Sequence, residues 1–348
     1  MGRTLARIAG HKRAWLLALG VACLTLIPGL GHAQQTWNPS GIYAPGIAPV
    51  VVPPPPMPDP AFELGTRMWF SQGKTNFGIN SSKGNPQLGN PTSTLSYDNL
   101  DGISGEVFLR AKNDTGMVFK GLVGGGGIVS GSLDDQDYFK HQIRFSDTYS
   151  SVEGSDLVYG TIDLGYDLKF NEDVTLTPFV GFNMWKESVD AFGARCLKDE
   201  VQGAFCGPPG HIEVPFTTKA IHNETNWASL RLGAEVQKQL TDRISFVGDF
   251  ALLPGAYVWN EDSHRLRRDL GPIPNIEDRG TGWGAQIEAE LRYDINPNWS
   301  AGAGVRYWYA TTNGVSDFVH FNVKSDLEDF TSERFGVITD VTYRFSTY

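Results

Sequence analysis

The chain has 348 residues, with 29 Lys and Arg against 39 Asp and Glu, a formal net charge of −10, and 41% hydrophobic residues. That acidic balance, without any long block of like charge, favours no nucleic-acid partner.

The N-terminus carries a targeting pattern. Arg3, Arg7, Lys12 and Arg13 form a positive region, Ala14 to Pro28 is apolar, and Gly31-His32-Ala33 supplies the small residues of a cleavage site. A secretory signal peptide is expected over residues 1–33, with the mature chain starting at Gln34. Cys23 has Gly20 where a lipobox needs Leu, so secretion is expected without lipidation. Removal of the leader leaves 25 basic residues against 39 acidic. Residues 34–61, with "VVVPPPPMPDP", form a Pro-rich linker of polyproline II character.

From Phe62 to Tyr348 the chain alternates. In Gly282–Ile295, Trp283, Ala285, Ile287, Ala289, Leu291, Tyr293 and Ile295 fall on one face, opposite Gln286, Glu288, Glu290, Arg292 and Asp294. A period of two with one apolar and one polar face is a strand. Ten such strands are predicted near 62–79, 93–112, 116–131, 155–170, 174–188, 226–240, 244–259, 282–295, 299–313 and 334–345. They are long, aromatics gather at their apolar ends, and short turns alternate with long loops. These are the marks of an all-β, ten-stranded antiparallel transmembrane barrel of the outer-membrane type, with long extracellular loops and both termini periplasmic. The expected location is the outer membrane of a Gram-negative bacterium, in contact with its lipid and lipopolysaccharide. The interior Glu288, Glu290, Arg292, Arg306 and Arg344 are expected to form a satisfied polar plug, not a pore lining. Pro178, inside the fifth strand, is out of place in a ladder.

Two loop motifs carry chemistry. "GSLDDQDYF" ends the third strand with Asp135 and Asp137, and "NEDSHRLRRD" follows the seventh with Asp262 and His264. Strands three and seven of ten lie across the mouth from one another. An imidazole kept basic by a carboxylate can take a proton from water. Two close carboxylates tend to share a proton and can hold that water from the other side. Cys196 and Cys206 close a short loop and are expected as a disulfide. No metal ligand set is convincing, and His141 four residues beyond Asp137 is a weak one.

This arrangement resembles the omptin family of outer-membrane proteases. "LGTRMWFSQGKT" in the first strand is similar to that family's opening, "DDQD" to its Asp-x-Asp and "EDSH" to its Asp-x-His. The resemblance implies an endopeptidase with Asp135, Asp137, Asp262 and His264 as catalytic residues, no metal cofactor, dependence on lipopolysaccharide, and a peptide or protein substrate. Omptins favour basic cleavage sites through acidic pocket residues. The matching places here are Phe77 and Asn260, which carry no charge, and Arg265, Arg267 and Arg268 crowd the loop after His264 as contacts for substrate or for lipopolysaccharide phosphates. A protease of this chain is therefore expected not to be restricted to basic sites. The other class left open is a non-enzymatic barrel on the same scaffold: an adhesin, a structural protein or a small channel.

Overall fold

A computed structural model describes residues 62–139 and 143–345. The predicted leader, linker and His141 lie outside the described residues, as do Lys140 and the last three residues.

Twelve strands run in chain order: β1 (Phe62–Asn80), β2 (Leu88–Lys112), β3 (Met117–Phe139), β4 (Ile143–Val152), β5 (Ser155–Tyr166), β6 (Leu168–Lys169), β7 (Val174–Lys198), β8 (Ile212–Thr241), β9 (Ile244–His264), β10 (Ile276–Asp294), β11 (Trp299–Phe318) and β12 (Val323–Phe345). All pairings are antiparallel, and β1 pairs with both β2 and β12, so the ladders return to their start. Segments β4, β5 and β6 all pair with β7 and together make one stave, which gives the ten staves expected.

The strand bounds differ from expectation at one end. Much of what the sequence suggests as loop is continued ladder. Segment β4 was missed altogether, β3 runs on through Asp137, and β9 runs through His264. The cause is the pattern itself. Alternation of apolar and polar residues is sharp only where one face of the sheet must meet an apolar medium. Leu64 and Met68 on β1, Trp283, Ile287 and Leu291 on β10, and Phe335, Val337 and Val341 on β12 form that exposed apolar belt. Above Phe70 the outward residues of β1 are Gln72, Lys74 and Asn76, so the hydrophobic signal fades while the hydrogen bonds continue. Pro178 also finds an explanation: it lies where the β5–β7 ladder ends at Gly165↔Phe179 and resumes at Leu168↔Leu176, a break that asks for no proline N–H.

The inward residues of β1 order the interior into layers. Glu63 and Arg67 enter a lattice of ion pairs: Arg67 meets Glu288 at 2.8 Å and Glu290 at 2.9 Å, and Arg306 meets Glu288 at 2.7 Å and also holds Glu106. Arg292 holds Glu290 at 3.0 Å and Arg344 holds Asp294 at 2.6 Å. The interior charges singled out in the sequence are thus mutually satisfied. A cavity of about 100 Å³ remains among them, into which Gln286 brings amide atoms without a protein partner. Trp69 belongs to the next layer, packed with Tyr159 and Trp308, while Trp185 packs on Trp308. Small residues permit that layer. A Cβ on Gly124 of the "GLVGGGG" run would stand 2.5 Å from the Tyr159 ring. Higher still, buried Arg334 pairs with Glu187, and then Phe77 stacks on Phe330 at 4.7 Å.

Candidate active site

Asp262 and His264 are the last inward residues of β9, where the strand leaves the barrel. Asp262 is fully buried, and its Oδ2 lies 2.9 Å from Nε2 of His264. A carboxylate at Nε2 keeps the proton there in the neutral imidazole, which leaves Nδ1 as the basic nitrogen. The backbone fixes the pair from two sides. Ile221 and Asn223 of β8 are the register partners of His264 and Asp262. Asn275, just before β10, accepts the His264 N–H through Oδ1 at 2.6 Å and donates its own N–H to the Asp262 carbonyl at 3.2 Å.

Asp135 and Asp137 occupy the end of β3, paired with Leu95 and Ser93 of β2. Two residues apart on a strand, they project to the same side. The fields of the two rims act on each other. Burial raises the Asp135 carboxyl and the adjacent Asp137 raises it further, to about 8, against the opposing pull of His264. Asp137 is also raised by burial, with His264, a Ser93 hydrogen bond and Arg267 working the other way. Burial alone would depress His264, but the charge and hydrogen bond of Asp262, then Asp135 and Asp137, carry it up to about 9. The four residues that the sequence singles out therefore form one electrostatic unit at the barrel mouth, above the apolar belt.

Asn260 precedes Asp262 by two residues on the inner face of β9, and Phe77 on β1 is the register partner of Leu95, which pairs in turn with Asp135. Phe77 is 2% exposed. Asn260 is 1% exposed and both its amide N–H groups are engaged: it donates to Asp278 at 2.9 Å and to Asn223 at 3.0 Å, and its Oδ1 accepts from Thr225 at 2.7 Å. Of the three arginines, Arg267 grips Asp269 with Nε and Nη2, and its charge reaches both Asp135 and Asp137. Arg265 and Arg268 are exposed. Cys196 and Cys206 are bonded as expected. Their loop packs on the β3–β4 hairpin, with Phe205 4.7 Å from Phe145 and the Glu200 N–H donated to the Arg144 carbonyl. No cluster of His, Cys, Asp and Glu suited to a metal occurs among the described residues.

Sequence reasoning overlooked Asp278. It is the register partner of Asn260 across β9–β10 and is fully buried between Asn260 and Ser316. Burial lifts it to about 7, with Asp262 adding to the rise. Tyr97 was missed too. Its hydroxyl is buried without a partner, as is Oδ1 of Asp262, and its ionisation is suppressed first by burial and then by Asp262 and Asp135. Nothing local in the sequence marks either residue, because both join the site through cross-strand register.

No family model matches the chain, and no curated protein matches it in sequence. Among solved structures it is similar to the outer membrane protease OmpT from Escherichia coli, at a TM-score of 0.64 and 11% identity, covering 82% of this chain and 96% of that one. It is also similar to the outer membrane protein OprG from Pseudomonas aeruginosa (TM-score 0.32, 12% identity, 81% and 96% covered). A third is Ail, the attachment invasion locus protein of Yersinia pestis (TM-score 0.28, 10% identity, 81% and 98% covered). At such identity the likeness to OmpT establishes the architecture alone: this chain has the fold of an antiparallel outer-membrane β-barrel.

Proposed function

We propose that the chain is an omptin-like endopeptidase of a Gram-negative outer membrane, with its site facing outward and its termini in the periplasm. The observation that carries the reading is the Asp262–His264 hydrogen bond at 2.9 Å, set in the mutual field of Asp135 and Asp137. In this mechanism Nδ1 of His264 takes a proton from water as the oxygen attacks a peptide carbonyl laid across the cleft. Asp262 holds the imidazolium that forms, and the Asp135/Asp137 pair, sharing one proton, orients the water and can protonate the leaving amine. Lipopolysaccharide is the partner the resemblance implies, and its effect belongs in the assay.

Specificity follows from the filled floor. Phe77 is stacked on Phe330, and Asn260 is buried and held by Asp278, Asn223 and Thr225, so these two positions, where omptins carry acids, offer a basic side chain neither charge nor depth. Cleavage without restriction to Lys and Arg is the expected result.

The test is digestion of a random peptide library by the refolded barrel with lipopolysaccharide, beside His264→Ala. A general base contributes on the order of 10²–10⁴ in rate, so the variant should lose at least a hundredfold. Equal silence from the wild type and the variant, with both shown folded, would instead favour a barrel that displays its loops.

A further inference from the structure

The unneutralised positive charge of the outer rim is concentrated beside His264. Lys83 holds Asp326, Lys198 holds Glu200, Arg279 holds Glu277, and Lys324 holds Asp317. Arg144 is bound to Asp147, and Arg195 lies over the Tyr149 ring. Arg267 is committed to Asp269. Among the described residues of that rim, Arg265 and Arg268 are left with exposed guanidinium groups that hold neither an acid nor a ring.

Resting on the peptidase reading, we infer that this loop selects polypeptides with an acidic side chain near the scissile bond, taken by Arg265 and Arg268. Guanidinium groups pair with carboxylates in bidentate fashion, and here both are free to do so. Arg265 follows His264 directly in the chain and Arg268 stands three residues further along the same loop. Leu266, Ile273 and Phe321, about half exposed on the same pair of loops, offer that chain an apolar bed. The loops are tied together, with the His320 ring nitrogen 2.8 Å from the Pro272 carbonyl and the Val319 N–H donated to the Asn275 carbonyl.

Height argues for a peptide over a lipid phosphate. On β9 the apolar belt ends near Tyr257. From there to residue 265 a tilted strand climbs roughly 20 Å, well past the level of lipid headgroups.

Two measurements test this. The first sequences the products of a random library cut by the wild type and by Arg265→Glu/Arg268→Glu. Wild-type cuts should be enriched at least fivefold for Asp or Glu within three residues of the cleaved bond, and the double variant should lose or reverse that enrichment. The second measures anisotropy of an acidic-apolar peptide, its basic counterpart and a neutral one on the Asp135→Asn barrel in vesicles. The acidic peptide should bind about tenfold more tightly in low salt, and the margin should shrink at 0.5 M NaCl, where screening is strong. Cleavage without acidic enrichment would overturn the inference and leave the peptidase reading intact. Acidic-peptide binding with no cleavage by the wild type would overturn the peptidase reading, and with it the placement of the acidic residue beside a scissile bond. If the arginine variant keeps the peptide preference and instead loses its hold on lipopolysaccharide-containing vesicles, the arginines serve lipid and the inference fails.

Discussion

Acid and base at the mouth of this barrel are tuned against their ordinary values, and the direction matters. His264, raised to about 9, stays an imidazolium through neutrality, so its basic form becomes abundant only as pH climbs. Asp135, raised to about 8, keeps the shared proton to nearly the same point and loses it above. If His264 is the base and the acid pair must stay protonated, cleavage should rise steeply from pH 6 and peak near pH 8–9. Asp262→Asn removes the largest influence holding the imidazole up and leaves burial to depress it. The rising limb should then move down by at least one pH unit, at a lower maximum rate. A limb that stays in place would assign it to another group. The four residues of the unit were legible because each pair is local in sequence. Asp278 was not, since it meets Asn260 through β9–β10 register across eighteen positions. The same separation hides the consequence that the floor of the site holds a buried carboxyl although position 260 is an amide.

At the scale of elements, the acid rim depends on a neighbour that closes covalently. The Cys196–Cys206 loop is organised by Asp199, which accepts the N–H groups of Val201 and Phe205 at 2.9 Å and of Cys206 at 3.2 Å. It leans on the hairpin that carries Asp135 and Asp137. Closing a loop of this length stabilises by about 2–3 kcal/mol in the chain-entropy view. A Cys196→Ser/Cys206→Ser barrel should therefore exchange amide hydrogens faster over 135–150 and in its own loop, with the β10–β12 ladders unchanged. Protection unaltered in the hairpin would show that it stands alone. Strand existence was readable wherever the wall faces the apolar belt, because every second residue there is constrained. The upper half of β3, all of β4 and the early part of β8 lose that strict alternation, with Leu133, Val152 and Ile221 buried among mostly polar neighbours, so composition there says little although the segments are still paired, through several register shifts in early β8.

The whole molecule is a wall filled from within. Trp69, Tyr159, Trp308 and Trp185 form one contiguous aromatic layer across the interior, above a lattice of ion pairs. The cavity among those charges, about 100 Å³, suits a few waters. The reconstituted protein should give no stable conductance steps in a planar bilayer. Porin-like steps would mean that the layers part, and would return the small-channel reading to first place.

The continuation of the ladder above the belt has a further consequence. Both halves of the candidate site stand on strands whose neighbours are fixed in register, at β2–β3 on one side and β8–β9–β10 on the other. Such a cleft has little freedom to wrap itself around a guest. If the peptidase reading holds, the adaptation must come from that guest, so a flexible tail or an unfolded stretch should be cut well ahead of the same sequence inside a compact domain.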